Sequence, residues 1–133
     1  MTLRRARPAL GTLVDIAVEC TSMLAGRRAV AGAVDEIAAV EAVFSAHRAS
    51  SEAVRLSLQA HRAPMRVSAP MQRVLTTALD LYRASGGIFD VAVGGTLAAR
   101  QLLPPLLCDI VGHGVAGNSR HIYLGPDGRV SFR

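Results

Sequence analysis

The chain has 133 residues, of which half are hydrophobic and only 4% are aromatic, so we expect one domain with an aliphatic core. This composition excludes extensive disorder, because disordered chains have too little apolar surface to bury. The net charge of +5 comes from arginine alone, since the sequence has no lysine. Arginines this scattered favour a solvated basic surface over a nucleic-acid site.

The amino-terminal segment predicts neither an export signal nor a membrane helix. Arg4, Arg5 and Arg7 form the only dense basic group, in a terminus that we expect to be mobile. Asp15 and Glu19 interrupt the apolar residues that follow, which is unlike a signal peptide. No apolar run approaches the roughly 18 residues of a membrane span, so we expect a cytoplasmic protein without a transmembrane segment.

The first half of the chain predicts a strand and two helices. Apolar residues alternate over Thr12–Glu19, which predicts a half-buried strand. Apolar residues at helical spacing over residues 27–44 predict the clearest amphipathic helix of the sequence. Residues 45–58 predict a loop followed by a short helix, with Ser50 or Ser51 as its N-cap.

The second half predicts a helix and two extended segments. Residues 65–68 predict a brief extended piece, and Ser68 is the N-cap of a helix that ends at Ala84, before two glycines. The apolar run IFDVAV predicts a strand that opens a connector over residues 88–107. The last fifteen residues predict a hairpin whose turn is Pro-Asp-Gly. Strands segregated from the helices indicate an α+β fold, in a single domain over residues 1–133.

The loop Ser-Gly-Gly-Ile-Phe-Asp, residues 85–90, is the most informative place for function. Its glycines would let the backbone approach a ligand, and Asp90 would accept hydrogen bonds from ribose hydroxyls or an adenine amino group. A Gly-Gly pair at a helix end is more often structural, and an Asp in such a loop is more often a turn partner. The pattern is neither GxGxxG nor a P-loop, so both interpretations stay open on the residues alone.

No metal site is predicted within the chain. Cys20 and Cys108 have no ligand spacing and are expected to be free thiols. Three histidines could act as an acid or a base: His61, His113 and His121. None has a partner residue at a spacing that indicates a catalytic pair, so surface or loop positions are favoured for them. The following carboxylates lie on polar faces or in a turn and are expected to be solvated: Asp15, Glu19, Asp35, Glu36, Glu41, Glu52, Asp80 and Asp127.

Residues 85–97, SGGIFDVAVGGTL, resemble the segment Ser-Gly-Gly-Ala-Phe-Asp-Val-Thr-Val-Gly-Pro-Leu of the ApbE family, whose members are FAD:protein FMN transferases. Three further blocks resemble family blocks in the same order: RPALGT at 7–12, FSAHRASSEAVRLS at 44–57 and LLP at 102–104. The terminal hairpin also lies where the family has one. The resemblance spans nearly all of the chain and corresponds to the amino-terminal part of the family, a truncated form with an antiparallel or mixed sheet and two main helices.

The resemblance implies a Mg²⁺-dependent enzyme that transfers FMN from FAD to a Thr or Ser hydroxyl of an acceptor protein and releases AMP. It implies contacts with FAD at Leu10, His47, Ile88, Phe89 and Asp90. It assigns no catalytic residue and no metal ligand to this chain. The family's Mg²⁺-holding segment follows the hairpin, so these ligands are expected beyond the end of this chain.

Several positions depart from the family pattern. His47 stands where the family has a Tyr, Ala92 where it has a Thr, and Gly95 where it has a Pro. We predict that the chain is the FAD-binding amino-terminal part of a transferase and does not transfer FMN alone. The alternative is a non-catalytic module that covers its exposed strand edges by forming a homo-oligomer. An arginine-driven nucleic-acid binder is the third and least favoured hypothesis.

Overall fold

The computed structural model describes residues 1–103, 105, 108 and 117–133. The strands of these residues are β1 (Thr2–Ala9), β2 (Thr12–Glu19), β3 (Met65–Arg66), β4 (Ile122–Leu124) and β5 (Arg129–Phe132). The helices are α1 (Met23–Phe44), α2 (Glu52–Gln59), α3 (Ala69–Ala84) and α4 (Gly94–Ala99), and a single helical turn covers Ser119–His121. The strands form two antiparallel sheets, β1-β2 and β3-β5-β4. The predicted α+β class with antiparallel sheet and two main helices is confirmed.

The amino-terminal arginines lie in a strand, so the expectation of a mobile terminus is wrong. Strand β1 pairs with β2 along its whole length, from Thr2 opposite Glu19 to Ala9 opposite Thr12. The arginines hide the alternation of apolar and polar residues by which a strand is recognised in a sequence. The pairing itself is specified by β2 and by the tight turn between the strands.

Helix α1 begins one turn earlier than its periodicity predicts. Ser22 is its N-cap and accepts a hydrogen bond from the Ala25 amide at 3.2 Å. Gly26, in the added turn, is buried against the hairpin: a Cβ there would lie 2.7 Å from the Cys20 sulfur and 3.2 Å from a methyl group of Leu3. The hairpin therefore packs on the start of α1 at a distance that only glycine permits.

The main hydrophobic core lies between α2, α3 and the three-stranded sheet. Val130, in the central strand β5, is fully buried. Both helices begin where the sequence predicts, with Ser51 and Ser68 as N-caps. The core consists of these buried residues: Leu56, Ala60, Val67, Met71, Leu75 and Val130. As predicted, α3 ends at Ala84 and the last strands form a hairpin with its turn at residues 126–128.

Two sequence expectations are corrected. The run IFDVAV is not a strand, because residues 88–89 form a bend and residues 91–93 form a turn that leads into α4. Glu52 is not solvated: it is 7% exposed, and its two carboxylate oxygens accept hydrogen bonds from the Ser68 amide at 2.6 Å and hydroxyl at 2.5 Å. A carboxylate fits there because the unpaired amides at a helix start favour negative charge. His113 and part of the 102–104 block lie outside the described residues.

Candidate functional site

The turn of the first hairpin carries Leu10, the first of the predicted site residues. Leu10 and Gly11 have φ angles of 55° and 71°, the pair of left-handed residues that a two-residue type I′ hairpin turn requires. A residue other than glycine costs about 1–2 kcal/mol in this region. The side chain of Leu10 is half exposed, at 51%. The turn therefore holds an apolar side chain at the surface in a conformation that must be held by its surroundings.

Glu41 of α1 supplies part of that support. Its Oε1 accepts a hydrogen bond from the Leu10 amide at 2.5 Å. His47, just past the end of α1, lies near the same turn, with its Nε2 4.0 Å from the position that a Cβ would take at Gly11. The structure thus brings Leu10 and His47 together at one end of α1. Glu41 was expected to be solvated, and no local pattern connects it with a turn 31 residues away.

An open depression of about 560 Å³ adjoins this turn. It is lined by Pro8, Ala9, Gly11, Thr12 and Leu13. Most of the lining is apolar, and the depression is broadly open to solvent.

The second group of predicted residues follows α3. Either Gly86 or Gly87 was expected to supply the left-handed stop of α3, and both do, with φ angles of 62° and 87°. The Phe89 amide donates to the Ser85 hydroxyl at 3.0 Å, which closes the loop. Ile88 is 94% exposed and Phe89 44% exposed. Gly-Gly at the end of α3 therefore turns two large apolar side chains out to solvent.

Asp90 is held by the segment that precedes the terminal hairpin. Its Oδ1 accepts hydrogen bonds from the Ala92 amide at 2.8 Å, from the Ser119 amide at 3.1 Å and from the Ser119 hydroxyl. Its Oδ2 accepts a longer bond, 3.2 Å, from the Ser119 amide. Burial acts to raise the pKa of Asp90, but the bonds from the Ser119 hydroxyl and from the two amides lower it below its usual value.

A second bond joins the same two segments. The Tyr82 hydroxyl donates to Asn118 Oδ1 at 2.7 Å, and the same oxygen accepts from the Arg120 amide at 2.9 Å. Sequence reasoning missed Tyr82, Asn118 and Ser119 as parts of the site. Tyr82 fits the apolar stripe of α3, so nothing marks it as part of a site. Asn118 and Ser119 have no local sequence pattern that marks them, because their partners Tyr82 and Asp90 are 36 and 29 residues away.

The two groups of residues are positioned separately. Among the residues that the structure describes, no hydrogen bond links the Leu10 turn with the loop before Asp90. The described part of the chain also contains no group of three or more His, Cys, Asp or Glu side chains that could hold a metal ion. His61 and His121 are exposed. No helix in the described ranges is long and apolar enough to span a membrane.

Comparison with known proteins gives a family match and several structural neighbours. The ApbE family model matches residues 10–105. The ApbE protein of Thermotoga maritima MSB8 is similar in structure, with a TM-score of 0.81 at 15% identity, over 99% of this chain and 45% of that protein. The flavin transferase ApbE of Vibrio cholerae has a TM-score of 0.78 at 19% identity, over 99% of this chain and 45% of its own length.

A third neighbour is the flavinyl transferase ApbE of Pseudomonas stutzeri, with a TM-score of 0.68 at 13% identity, over 99% of this chain and 42% of that protein. No curated protein matches the chain significantly. These identities are low, so the likeness shows a shared fold. The chain spans less than half the length of each of these structures.

Proposed function

The chain belongs to the ApbE family, and on this premise we propose that it is the FAD-binding amino-terminal part of a FAD:protein FMN transferase. The family match over residues 10–105 supports the proposal, because it contains both groups of predicted FAD contacts: Leu10, His47, Ile88, Phe89 and Asp90. The acceptor would be a Thr or Ser hydroxyl of another protein. The reaction, its metal and its acceptor are parts of this proposal.

The proposed reaction is a substitution at phosphorus. The hydroxyl oxygen of the acceptor attacks the phosphorus on the FMN side of the FAD pyrophosphate, and a new P–O bond forms. The bond from that phosphorus to the bridging oxygen breaks, and AMP leaves with this oxygen. The hydroxyl proton passes to a base or to water. Catalysis of such a step depends mainly on placing the oxygen in line and on neutralising charge.

Mg²⁺ supplies charge neutralisation in the reaction that the family resemblance implies. The described residues do not fit such a metal, because their His, Cys, Asp and Glu side chains form no group able to hold one. We therefore assign no metal ligand to them and derive no step through Mg²⁺. On this proposal the isolated chain binds FAD without cleaving it.

The loop after α3 would contact FAD through carbonyl groups and side chains. The amides of Ile88 and Phe89 already donate to the carbonyl and hydroxyl oxygens of Ser85. Amide donation to FAD at these positions is therefore excluded without rearrangement of the loop. Backbone carbonyls can accept from hydroxyl or amino groups of a nucleotide, and the exposed faces of Ile88 and Phe89 can pack on its rings. The single observation that carries this placement is the exposure of both side chains at a left-handed Gly-Gly turn.

The hairpin turn would provide a second contact. Leu10 offers an exposed apolar side chain, and His47 offers an imidazole ring that can stack on the flavin with less area than the family's Tyr. The chain's net charge of +5 favours an anionic ligand such as a pyrophosphate. These features support FAD as the ligand.

The proposal is tested by titrating FAD with the 133-residue chain and following the fluorescence anisotropy of the flavin. We expect saturable binding of FAD and weaker binding of riboflavin, which lacks the pyrophosphate and adenosine. A flat anisotropy curve up to millimolar protein would contradict the proposed FAD site. In the same samples, AMP release that depends on added Mg²⁺ would disprove the inactivity of the isolated chain.

Self-association is the second candidate function. Leu13 and Leu102 are each 66% exposed, and Ile88 is more exposed still. Large exposed apolar side chains and open strand edges favour association with another polypeptide. Light scattering after size exclusion would show a concentration-dependent dimer or larger oligomer, whereas a monomer at all concentrations would exclude this candidate.

A further inference from the structure

The hydrogen bonds of Asp90 leave one carboxylate oxygen with no room for a ligand. Oδ1 has two lone pairs and already accepts from three donors, the Ala92 amide and the amide and hydroxyl of Ser119. The Ala92 bond closes a local turn, whereas the Ser119 bonds span 29 residues. Ser119 is 1% exposed. Oδ1 is therefore committed to Ala92 and to the buried Ser119. Asp90 itself is partly exposed, and its Oδ2 accepts only the longer 3.2 Å bond from the Ser119 amide, so Oδ2 is the oxygen that a direct contact with a nucleotide would use.

Tyr82 holds the other end of the same loop. Its hydroxyl donates to Asn118, the neighbour of Ser119. Its ring lies 3.4 Å from the position that a Cβ atom would take at Gly87, so it also packs beside the glycine turn. The loop that presents Ile88 and Phe89 is thus held at its start by the hydrogen bond of Tyr82 and at its end by those of Asp90. The partners of these bonds are the neighbouring residues Asn118 and Ser119.

The backbones of the two segments also approach closely. A Cβ on Gly117 would lie 2.9 Å from the Ala92 carbonyl oxygen, too close for any side chain there without a shift. The exposed loop between the hydrogen bonds of Tyr82 and Asp90 has little packing of its own, because Ile88 is almost fully exposed. Its conformation therefore depends on the hydrogen bonds at its two ends. A loop held in its bound form before the ligand arrives loses less entropy on binding.

Building on the proposed function, we propose that Asp90 is a positioning residue, which with Ser119, Tyr82 and Asn118 holds residues 86–89 in the conformation that binds FAD. We name this group the loop clamp. Asp90 then acts on FAD through the loop and not by accepting a hydrogen bond from FAD at its carboxylate. A direct ribose or adenine bond from Asp90, the role that the family resemblance implies, is the competing assignment.

Ser119→Ala separates the two roles. It removes the hydroxyl bond and leaves the Asp90 carboxylate in place with one donor fewer. If Asp90 acts through the loop clamp, Ser119→Ala weakens FAD binding by roughly 5–10-fold, about the net value of one lost intramolecular hydrogen bond. Asp90→Asn then weakens binding by a similar factor, and the double variant is little weaker than either single variant. A direct carboxylate contact predicts unchanged or tighter binding for Ser119→Ala.

Ser22→Ala is the matched control. It too removes one serine hydroxyl with a hydrogen bond, in this case one that accepts from the Ala25 amide at the N-cap of α1, away from the loop. We expect a similar loss of thermal stability, about 1 kcal/mol, with FAD affinity unchanged. If FAD affinity fell equally in Ser22→Ala and Ser119→Ala, the loop clamp would be a matter of general stability and the proposal would be wrong.

Amide hydrogen exchange without FAD adds a readout that does not depend on the ligand. We expect faster exchange at Ala92 and Phe89 in Ser119→Ala and Asp90→Asn, and wild-type exchange there in Ser22→Ala. If the wild-type chain does not bind FAD, the proposed function fails and the positioning role fails with it. If it binds FAD and Ser119→Ala binds equally well, only the positioning role is overturned.

Discussion

The hairpin β1-β2 and the sheet β3-β5-β4 are both antiparallel and both pack on helices, but they are stabilised differently. In the hairpin, Leu3 is the only buried strand residue, and it is 6% exposed. In the sheet, Val130 is fully buried at its centre and faces a core built from two helices. A two-stranded ribbon is marginal by itself, so the hairpin depends on its contact with α1. The two groups of predicted FAD contacts therefore lie in regions that we expect to differ in their stability against unfolding.

The largest test of this difference compares one apolar residue from each region. Met71 of α3 is 3% exposed and belongs to the main core, so Met71→Ala should lower the free energy of unfolding by about 2–5 kcal/mol. Leu13 of β2 is 66% exposed, and Leu13→Ala should change it by less than about 0.5 kcal/mol. Urea denaturation measures both. Similar losses in the two variants would show that the hairpin shares the main core.

The next test asks how closely the hairpin approaches α1, with two glycines of the same helix. Gly26→Ala puts a methyl group 2.7 Å from the Cys20 sulfur and should destabilise the chain by about 1–3 kcal/mol. At Gly32 a Cβ has nothing within 4 Å, so Gly32→Ala should stabilise it by about 0.5–1 kcal/mol through helix propensity. Opposite signs in thermal melts would support the close contact. Stabilisation by both substitutions would refute it.

Local sequence patterns predict the second region better than the first. Periodicity and the serine caps locate α2 and α3, and Pro-Asp-Gly locates the terminal turn. Strand β1 was missed because its arginines obscure any alternation, and its structure comes from pairing with β2. The first turn of α1 was missed because Gly26 lacks the apolar side chain that marks a buried helix face. Tertiary contact decided both cases.

The sequence indicates which residues belong to the candidate site, but it does not indicate the hydrogen bonds that hold them. The Gly-Gly turn and the residues after it stand out in the sequence, and the structure describes them as an exposed loop. The run IFDVAV was misread as a strand because apolar residues in a row fit a buried strand and an exposed turn equally. The bonds that Glu41 accepts from Leu10 and that Asp90 accepts from Ser119 join positions 29 or more residues apart. Such pairings depend on the folded chain and not on any local pattern.

The smallest expected effect is a difference in how salt changes the pKa values of two aspartates, one from each region. Both pKa values are lowered in the folded chain. Asp15 of the hairpin owes its lowered pKa first to the hydrogen bond from Arg4, in a pair whose side chains are 75% and 36% exposed. Asp90 is held by Ser119 and by backbone amides, which carry no net charge. Salt screens exposed ion pairs more strongly than fixed dipoles. Raising the salt concentration should therefore move the pKa of Asp15 back toward its usual value and leave that of Asp90 nearly unchanged.

The sign of the effect on stability is the same for both aspartates. A carboxyl group whose pKa is lower in the folded state stabilises the fold above its unfolded pKa of about 3.9. That contribution is lost as the pH falls through the lowered value. Carboxyl NMR titrations at low and high salt measure both pKa values, with Asp90→Asn and Asp15→Asn to assign the signals. An Asp90 pKa that followed salt as closely as that of Asp15 would mean that Ser119 does not hold its carboxylate, and the loop clamp would lose its central bond.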